Sequence, residues 1–241
     1  MIDLIKKTVY NKYTKKAIVK INLWNLRRIN KLKAKRWIIS DFESKLRNEF
    51  LSKTQQFGTT DFYQNYPPLK ITWKRPTASR FWNYWLENYI DKNTEILDIW
   101  WNIWFFSAYV SRFVKHIDLV EYNSDLVSIW KQLVEYEKIK NLNIINMDFK
   151  EFTNDKKYDI VFSFAIHKWI WMNFQDYISK LYSFIKDWWY LILETHIFNY
   201  KNWNEESLDD EIKKFWKLEI IKKWISDDHE WRYREFFILR K

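Results

Sequence analysis

Apolar residues fall along this chain in two rhythms, and the rhythm switches at regular intervals from residue 94 onward. Short, nearly unbroken apolar runs cover Glu95–Ile99, His116–Tyr122, Leu142–Asn146, Ile160–Phe164 and Tyr190–Glu194. Runs of that length predict buried strands. The last, apolar until Glu194, suits a central parallel strand covered on both faces. Between the runs, apolar residues return every three or four positions, as one face of a helix requires. Helices are expected over Phe105–Val114, Asn123–Lys140 and Phe174–Lys186. In the third, Tyr177, Ile178, Leu181, Phe184 and Ile185 share one face. Asn123 or Ser124 caps the second, since a side-chain oxygen there can accept from a free backbone N–H. Polar residues from 199 give way to a helical pattern around Leu208, Ile212 and Phe215. Leu218–Ile225 and Arg232–Leu239 then read as two strands joined by Ser226–Trp231. The expected fold is α/β.

The N-terminal part reads differently. Residues 1–57 are basic and helical in pattern, with Lys6, Lys7, Lys12, Lys15, Lys16 and Lys20 followed by Arg27, Arg28, Lys31, Lys33, Lys35 and Arg36. Asp41–Leu51 carries a helical stripe at Phe42, Leu46, Phe50 and Leu51. Such a segment serves either as an arm facing an anionic substrate or as a solvated helical cap over the core. Gly58 to Pro68, with Pro67 and Pro68 adjacent, breaks the pattern. The expected division is a basic helical extension over 1–69 and an α/β domain over 70–241.

Thr94–Val110, TEILDIWWNIWFFSAYV, organises that domain. A strand ending at Asp98, a tight loop and a helix make the layout of a nucleotide-binding βα turn. Such a turn needs glycine, because its backbone takes positive φ and comes close to the ligand. This chain has Trp100, Trp101 and Trp104 there. The chain holds 1 Gly and 17 Trp, against an average glycine usage of about 7%. Two readings follow. In one, most of these tryptophans stand at UGA codons, which some genetic codes read as tryptophan and others as glycine. In the other, the protein is truly tryptophan-rich and its site is lost or rebuilt. Glu121 ends the second strand 23 residues after Asp98, where a carboxylate is placed to accept from ribose hydroxyls.

With glycine at the three tryptophan positions, Leu97–Ser107 becomes Leu-Asp-Ile-Gly-Gly-Asn-Ile-Gly-Phe-Phe-Ser. That resembles the Asp/Glu-x-Gly-x-(Gly/Asn)-x-Gly signature of class I S-adenosylmethionine-dependent methyltransferases. Lys186–Glu194, KDWWYLILE, likewise resembles that family's turn into its fifth strand once Trp188 and Trp189 are read as glycine. The resemblance covers about residues 70–241. It implies a Rossmann-like, seven-stranded, mostly parallel sheet closed by a C-terminal antiparallel hairpin. It also implies S-adenosyl-L-methionine as cofactor. By resemblance, Asp98, Trp100, Trp101, Asn102, Trp104, Glu121, Asp148, Phe149 and Ser163 line the cofactor site. Asp148 would accept from the adenine amino group and Phe149 would lie against the ring. The segment before the first strand would close over the methionine end, which makes Lys74, Arg75, Arg80 and Tyr84 candidates for its carboxylate.

Substrate-facing residues belong at the carboxyl end of the fourth strand, beside the topological switch. Ala165–Ile170 lies there, and its His167 has the near-neutral pKa a general base needs. His167 could equally serve as a polar contact. Lys168 and Trp169 are candidate acceptor contacts. Charge, +10 with 41 Lys and Arg against 31 Asp and Glu, permits an RNA acceptor; compositional drift toward lysine would give it too. Zero cysteines exclude disulfides, Cys-ligated zinc, iron–sulfur clusters and a cysteine nucleophile. No Asn/Asp-Pro-Pro-Tyr/Phe stretch follows the fourth strand. Residues 1–20 have no apolar signal core and no run of 18 apolar residues occurs, so a cytoplasmic protein without a membrane partner is expected. The expected function is methyl transfer to a small molecule or an RNA. A non-catalytic methyltransferase-like domain binding RNA or protein is the alternative. A nicotinamide dehydrogenase ranks third.

Overall fold

A computed structural model describes residues 28, 32, 40–53, 66, 77–100, 105–195, 208–227 and 233–241. Its centre is a seven-stranded sheet: β1 (Glu95–Trp100), β2 (His116–Glu121), β3 (Leu142–Asn146), β4 (Tyr158–Phe164), β5 (Ile185–Glu194), β6 (Glu219–Asp227) and β7 (Tyr233–Arg240). The order is β3-β2-β1-β4-β5-β7-β6. β1 to β5 are parallel to their neighbours, while β7 runs antiparallel to both β5 and β6. The Rossmann-like architecture with its C-terminal antiparallel pair is therefore the one present.

The helices are α1 (Asp41–Lys53), α2 (Thr77–Asn83), α3 (Phe106–Val110), α4 (Ser124–Tyr136), α5 (His167–Ile170), α6 (Phe174–Ser183) and α7 (Leu208–Lys214), with a 3-10 turn at Leu86–Asn88. Asn123 caps α4, its side chain accepting from the N–H groups of Asp125 and Leu126. Asn173 caps α6 the same way toward Asp176. Three helices are shorter than their periodicity predicts: the expected Asn123–Lys140 helix spans Ser124–Tyr136. The expected Phe105–Val114 helix ends at Val110. The expected Phe174–Lys186 helix ends at Ser183, because Ile185 already pairs with Tyr158 in the sheet.

Side chains alternate between the faces of a strand, and that alternation splits the apolar runs into two cores. Ile96, Ile117, Leu119, Ile160, Phe162, Phe164, Ile192, Phe236 and Ile238 point to the side covered by α2, α3 and α4. Leu97, Ile99, Val120, Val161, Leu191, Leu193, Phe237 and Leu239 point to the side covered by α6 and α7. α1 joins the first core: Leu46 and Phe50 are buried in it. It leans on α4, where Phe42 stacks on Tyr136 with ring centroids 3.8 Å apart and Gln132 donates to Glu49 Oε2 at 2.8 Å. This part of the basic N-terminal stretch is thus a cap over the outer layer. Among the described residues no helix is long and apolar enough to cross a membrane.

Candidate functional site

Strand order reverses between β1 and β4, which lie side by side while their crossovers run to opposite sides of the sheet. Ligands of such sheets sit outside the carboxyl ends of the strands at that point. A cavity of about 230 Å³ opens on this edge. Val120 and Tyr122 at the end of β2, Met147–Lys150 after β3, and Ile166 with Trp169–Trp171 after β4 line it. It is apolar on two sides with a carboxylate, Asp148, on the third.

Two of the expected site residues, Asp148 and Phe149, form the cavity wall directly. Asp148 also orders its own loop: its Oδ1 accepts from Lys150 N–H at 2.9 Å and its carbonyl from Glu151 and Phe152. The Phe149 ring packs edge-on to Tyr177 at 5.8 Å and is held from behind by the core. Glu121 is fully buried at the lip, between lining residues, and its Oε1 accepts from Asn123 N–H at 2.7 Å. Ser163 is buried at the end of β4, its hydroxyl 2.6 Å from the Tyr177 hydroxyl. Burial pushes the Tyr177 phenol's pKa up, opposed by that hydrogen bond. His167 opens α5 with its ring against Phe174 at 5.1 Å and Tyr177 at 5.3 Å. It flanks the cavity without being one of its lining residues. Trp100 ends β1 opposite Glu121. Trp101, Asn102, Trp104, Lys74 and Arg75 lie outside the described residues.

Asp98 carries the strongest electrostatic signature. It is fully buried within β1, which runs two residues past the end expected at Asp98, to Trp100, and its Oδ2 accepts from the Ser107 hydroxyl of α3. Its Oδ1 has no hydrogen-bond partner among the described residues. Burial raises its pKa to about 7, with the Ser107 hydrogen bond and the Arg80 charge pulling the other way. An unneutralised carboxylate in such a place costs free energy unless a cation or donor reaches it.

Arg80 and Tyr84, candidates for a cofactor carboxylate, instead meet a protein carboxylate, Glu194, and none of the three is a cavity-lining residue. Arg80 Nη2 donates to Glu194 Oε2 at 2.9 Å, and the Tyr84 hydroxyl donates to Oε1 at 2.8 Å. Arg80 Nε donates to the Tyr84 oxygen at 2.9 Å. Arg234 lies 3.7 Å from the same Glu194 oxygen. All four side chains are buried. Glu194 could have been found from its position, the first charge after an apolar central strand; its partners are too distant in sequence to be paired by reading. Among the described residues no group of His, Asp and Glu could hold a metal ion.

A doubly wound sheet with a cavity at its switch point defines a Rossmann-like α/β class. Solved structures narrow it. The chain is similar to the N-methyltransferase NodS from Bradyrhizobium japonicum WM9, at TM-score 0.54 and 8% identity over 68% of this chain and 93% of that one. It is similar to a SAM-dependent methyltransferase from Aquifex aeolicus, at 0.51 and 12% over 65% and 87%. It is also similar to Trm5b from Pyrococcus abyssi, at 0.50 and 15%, over 70% of this chain and 50% of that one. The chain thus spans half the length of Trm5b. The shared property is the fold. No protein-family model and no curated protein sequence matches.

Proposed function

We propose that this chain is an S-adenosyl-L-methionine-dependent methyltransferase whose acceptor is an RNA or a small molecule. The observation that carries the reading is the pairing of one cavity with one buried acid. The cavity presents Asp148 and the Phe149 ring at the ends of β2 to β4, and Asp98 stands ionisable and half-satisfied in β1, two residues before its end. The donor set fits the cofactor's two ends. An adenine seated beside Phe149 would donate its amino group to Asp148, and Glu121 at the lip of β2 is placed for ribose hydroxyls. The cationic amino-acid end would lie toward Asp98. Bound there, S-adenosylmethionine supplies an electrophilic methyl group. The chain's own residues orient it and exclude water. His167 is the side chain proposed to take a proton from the acceptor, and 70–241 is the proposed catalytic unit.

An RNA acceptor is supported by the net charge of +10. A second support is similarity to a structure described as the tRNA m1G37 methyltransferase of M. jannaschii, at TM-score 0.50 and 18% identity over 71% of this chain and 52% of that one. Salt-dependent binding would mark a polyanion. One sequence feature favours the second reading, a non-catalytic domain: indoles at 100, 101 and 104 would occupy the volume of the cofactor. Under the first reading those positions are glycine in the functioning protein.

The test is calorimetric titration of S-adenosylmethionine and S-adenosylhomocysteine into the protein with Trp100, Trp101 and Trp104 changed to glycine. Saturable binding that falls at least tenfold in Asp148→Ala supports the reading; a tenfold loss corresponds to about 1.4 kcal/mol. No heat with either ligand leaves the non-catalytic reading. Transfer of labelled methyl to RNA, reduced in His167→Gln with binding unchanged, assigns the proton acceptor.

A further inference from the structure

Five non-glycine residues among those described have left-handed backbone: Trp85 (φ 51°), Lys138 (56°), Ala165 (55°), Trp171 (53°) and Trp188 (69°). A Cβ in that region crowds the backbone carbonyl, so glycine and, less often, Asn or Asp occupy it. None of the five is Asn or Asp. Three are tryptophan, a residue making up 17 of 241 positions, so chance placement does not account for them.

Each of the three has a specific geometric reason for glycine. Trp85 lies just past α2, where Tyr84 N–H donates to Arg80 O and Trp85 N–H to Trp82 O. That is the left-handed residue with which a helix turns off its axis. Trp171 ends α5 at φ 53°, ψ 41°, the same position on a second helix. Trp188 sits in a bulge of β5. Register with β4 jumps from Tyr158↔Ile185 to Ile160↔Tyr190, while Trp188 N–H donates to Lys241 O and Lys241 N–H to Trp189 O. A bulge built on a left-handed residue is a glycine position. Packing does not compensate at Trp171 and Trp188, which are 83% and 78% exposed; Trp85 packs edge-on to Trp224 at 5.0 Å, with the Lys222 ammonium over its ring. Trp130 is the contrast, fully buried in the middle of α4 where the backbone makes no demand for glycine.

We infer that Trp85, Trp171 and Trp188 stand at codons the source cell reads as glycine, and that Trp100, Trp101 and Trp104 do so as well. The first three rest on backbone geometry alone; the last three rest on the methyltransferase reading above. The inference changes the site. Trp171 forms part of the cavity wall, and glycine there takes an indole out of its mouth.

The deciding experiment is peptide mass spectrometry of the protein isolated from its source cell, across residues 81–112, 169–180 and 187–213. Glycine at 85, 171, 188, 100, 101 and 104 is the expected result. Tryptophan at 85, 171 and 188 overturns the inference. A second arm needs no source cell. Trp85→Gly, Trp171→Gly and Trp188→Gly should each raise the urea midpoint of the recombinant protein, and Trp130→Gly should lower it. Lower midpoints for the first three overturn the geometric argument. Glycine in the mass spectrum with no cofactor binding by the glycine form would sink the methyltransferase reading and leave the codon assignment standing.

Discussion

Replacing Asp98 by asparagine separates the charge of this side chain from its shape. Asp98 is fully buried and its pKa is raised from 3.8 to about 7. A carboxylate whose folded pKa lies above its unfolded value favours the folded state only while protonated. Its contribution is therefore intact below pH 3.8, is lost as pH rises from about 4 to 7, and stays lost above 7. Full ionisation costs the folded state about 4 kcal/mol, from about three pH units at 1.36 kcal/mol each. At pH 5 the cost is about 2 kcal/mol and at pH 8 about 4 kcal/mol by the same linkage. Asparagine keeps an oxygen for the Ser107 hydroxyl and cannot ionise. Its amide adds a buried donor, worth about 1–3 kcal/mol against the variant at every pH if left unmet. The expected result of urea unfolding followed by tryptophan fluorescence is a stability difference, variant minus parent, that grows by roughly 2 kcal/mol between pH 5 and pH 8. A difference that is flat across this range would refute the burial argument. A difference that shrinks would mean a cation already neutralises Asp98.

Two further outcomes are expected. Arg80→Met should destabilise the fold by about 3 kcal/mol, because buried Glu194 loses its 2.9 Å guanidinium partner and keeps only Arg234 at 3.7 Å. Adding Glu194→Gln should recover part of that loss in a double-mutant cycle, and additive losses would show that the two charges do not interact. Phe50→Ala, which empties the contact between α1 and the first core, should cost about 3–5 kcal/mol in chemical denaturation. An unchanged midpoint would show that α1 is a detachable arm.

Much of the sheet was readable because a central parallel strand is apolar on both faces and stands out as a run. β3 matches Leu142–Asn146 residue for residue. β5 was read as Tyr190–Glu194 yet begins at Ile185. Its first half carries Lys186, Asp187 and Trp188, which the bulge turns toward solvent, so the apolar signal starts late. α3 stops early for a related reason. The pattern at Phe105–Val114 continues with Phe113 and Val114, but those residues pack through a turn instead of a helix. In the site, Asp148 and Phe149 were legible from their place after β3. Glu194 with Arg80 was not, since the pair closes a separation of 114 residues. Whether His167 meets an acceptor turns on the substrate's shape, which no residue spacing encodes.

The position of β7 has a consequence for how the molecule comes into being. β7 is the last strand to be synthesised, yet it is an inner strand, lodged between β5 and β6. While a ribosome is still making residues 233–240, β5 has an open edge, and β6 has no strand to pair with. The first core then lacks Phe236 and Ile238, and the second lacks Phe237 and Leu239. The nascent chain thus carries an exposed, apolar sheet border until the final strand slots in, a window in which pairing with a foreign strand competes. Lys222 and Lys223 in β6 place charge on that waiting strand, the kind of residue that discourages intermolecular pairing. For this fold, the wait for the last strand is built into the order of the sheet.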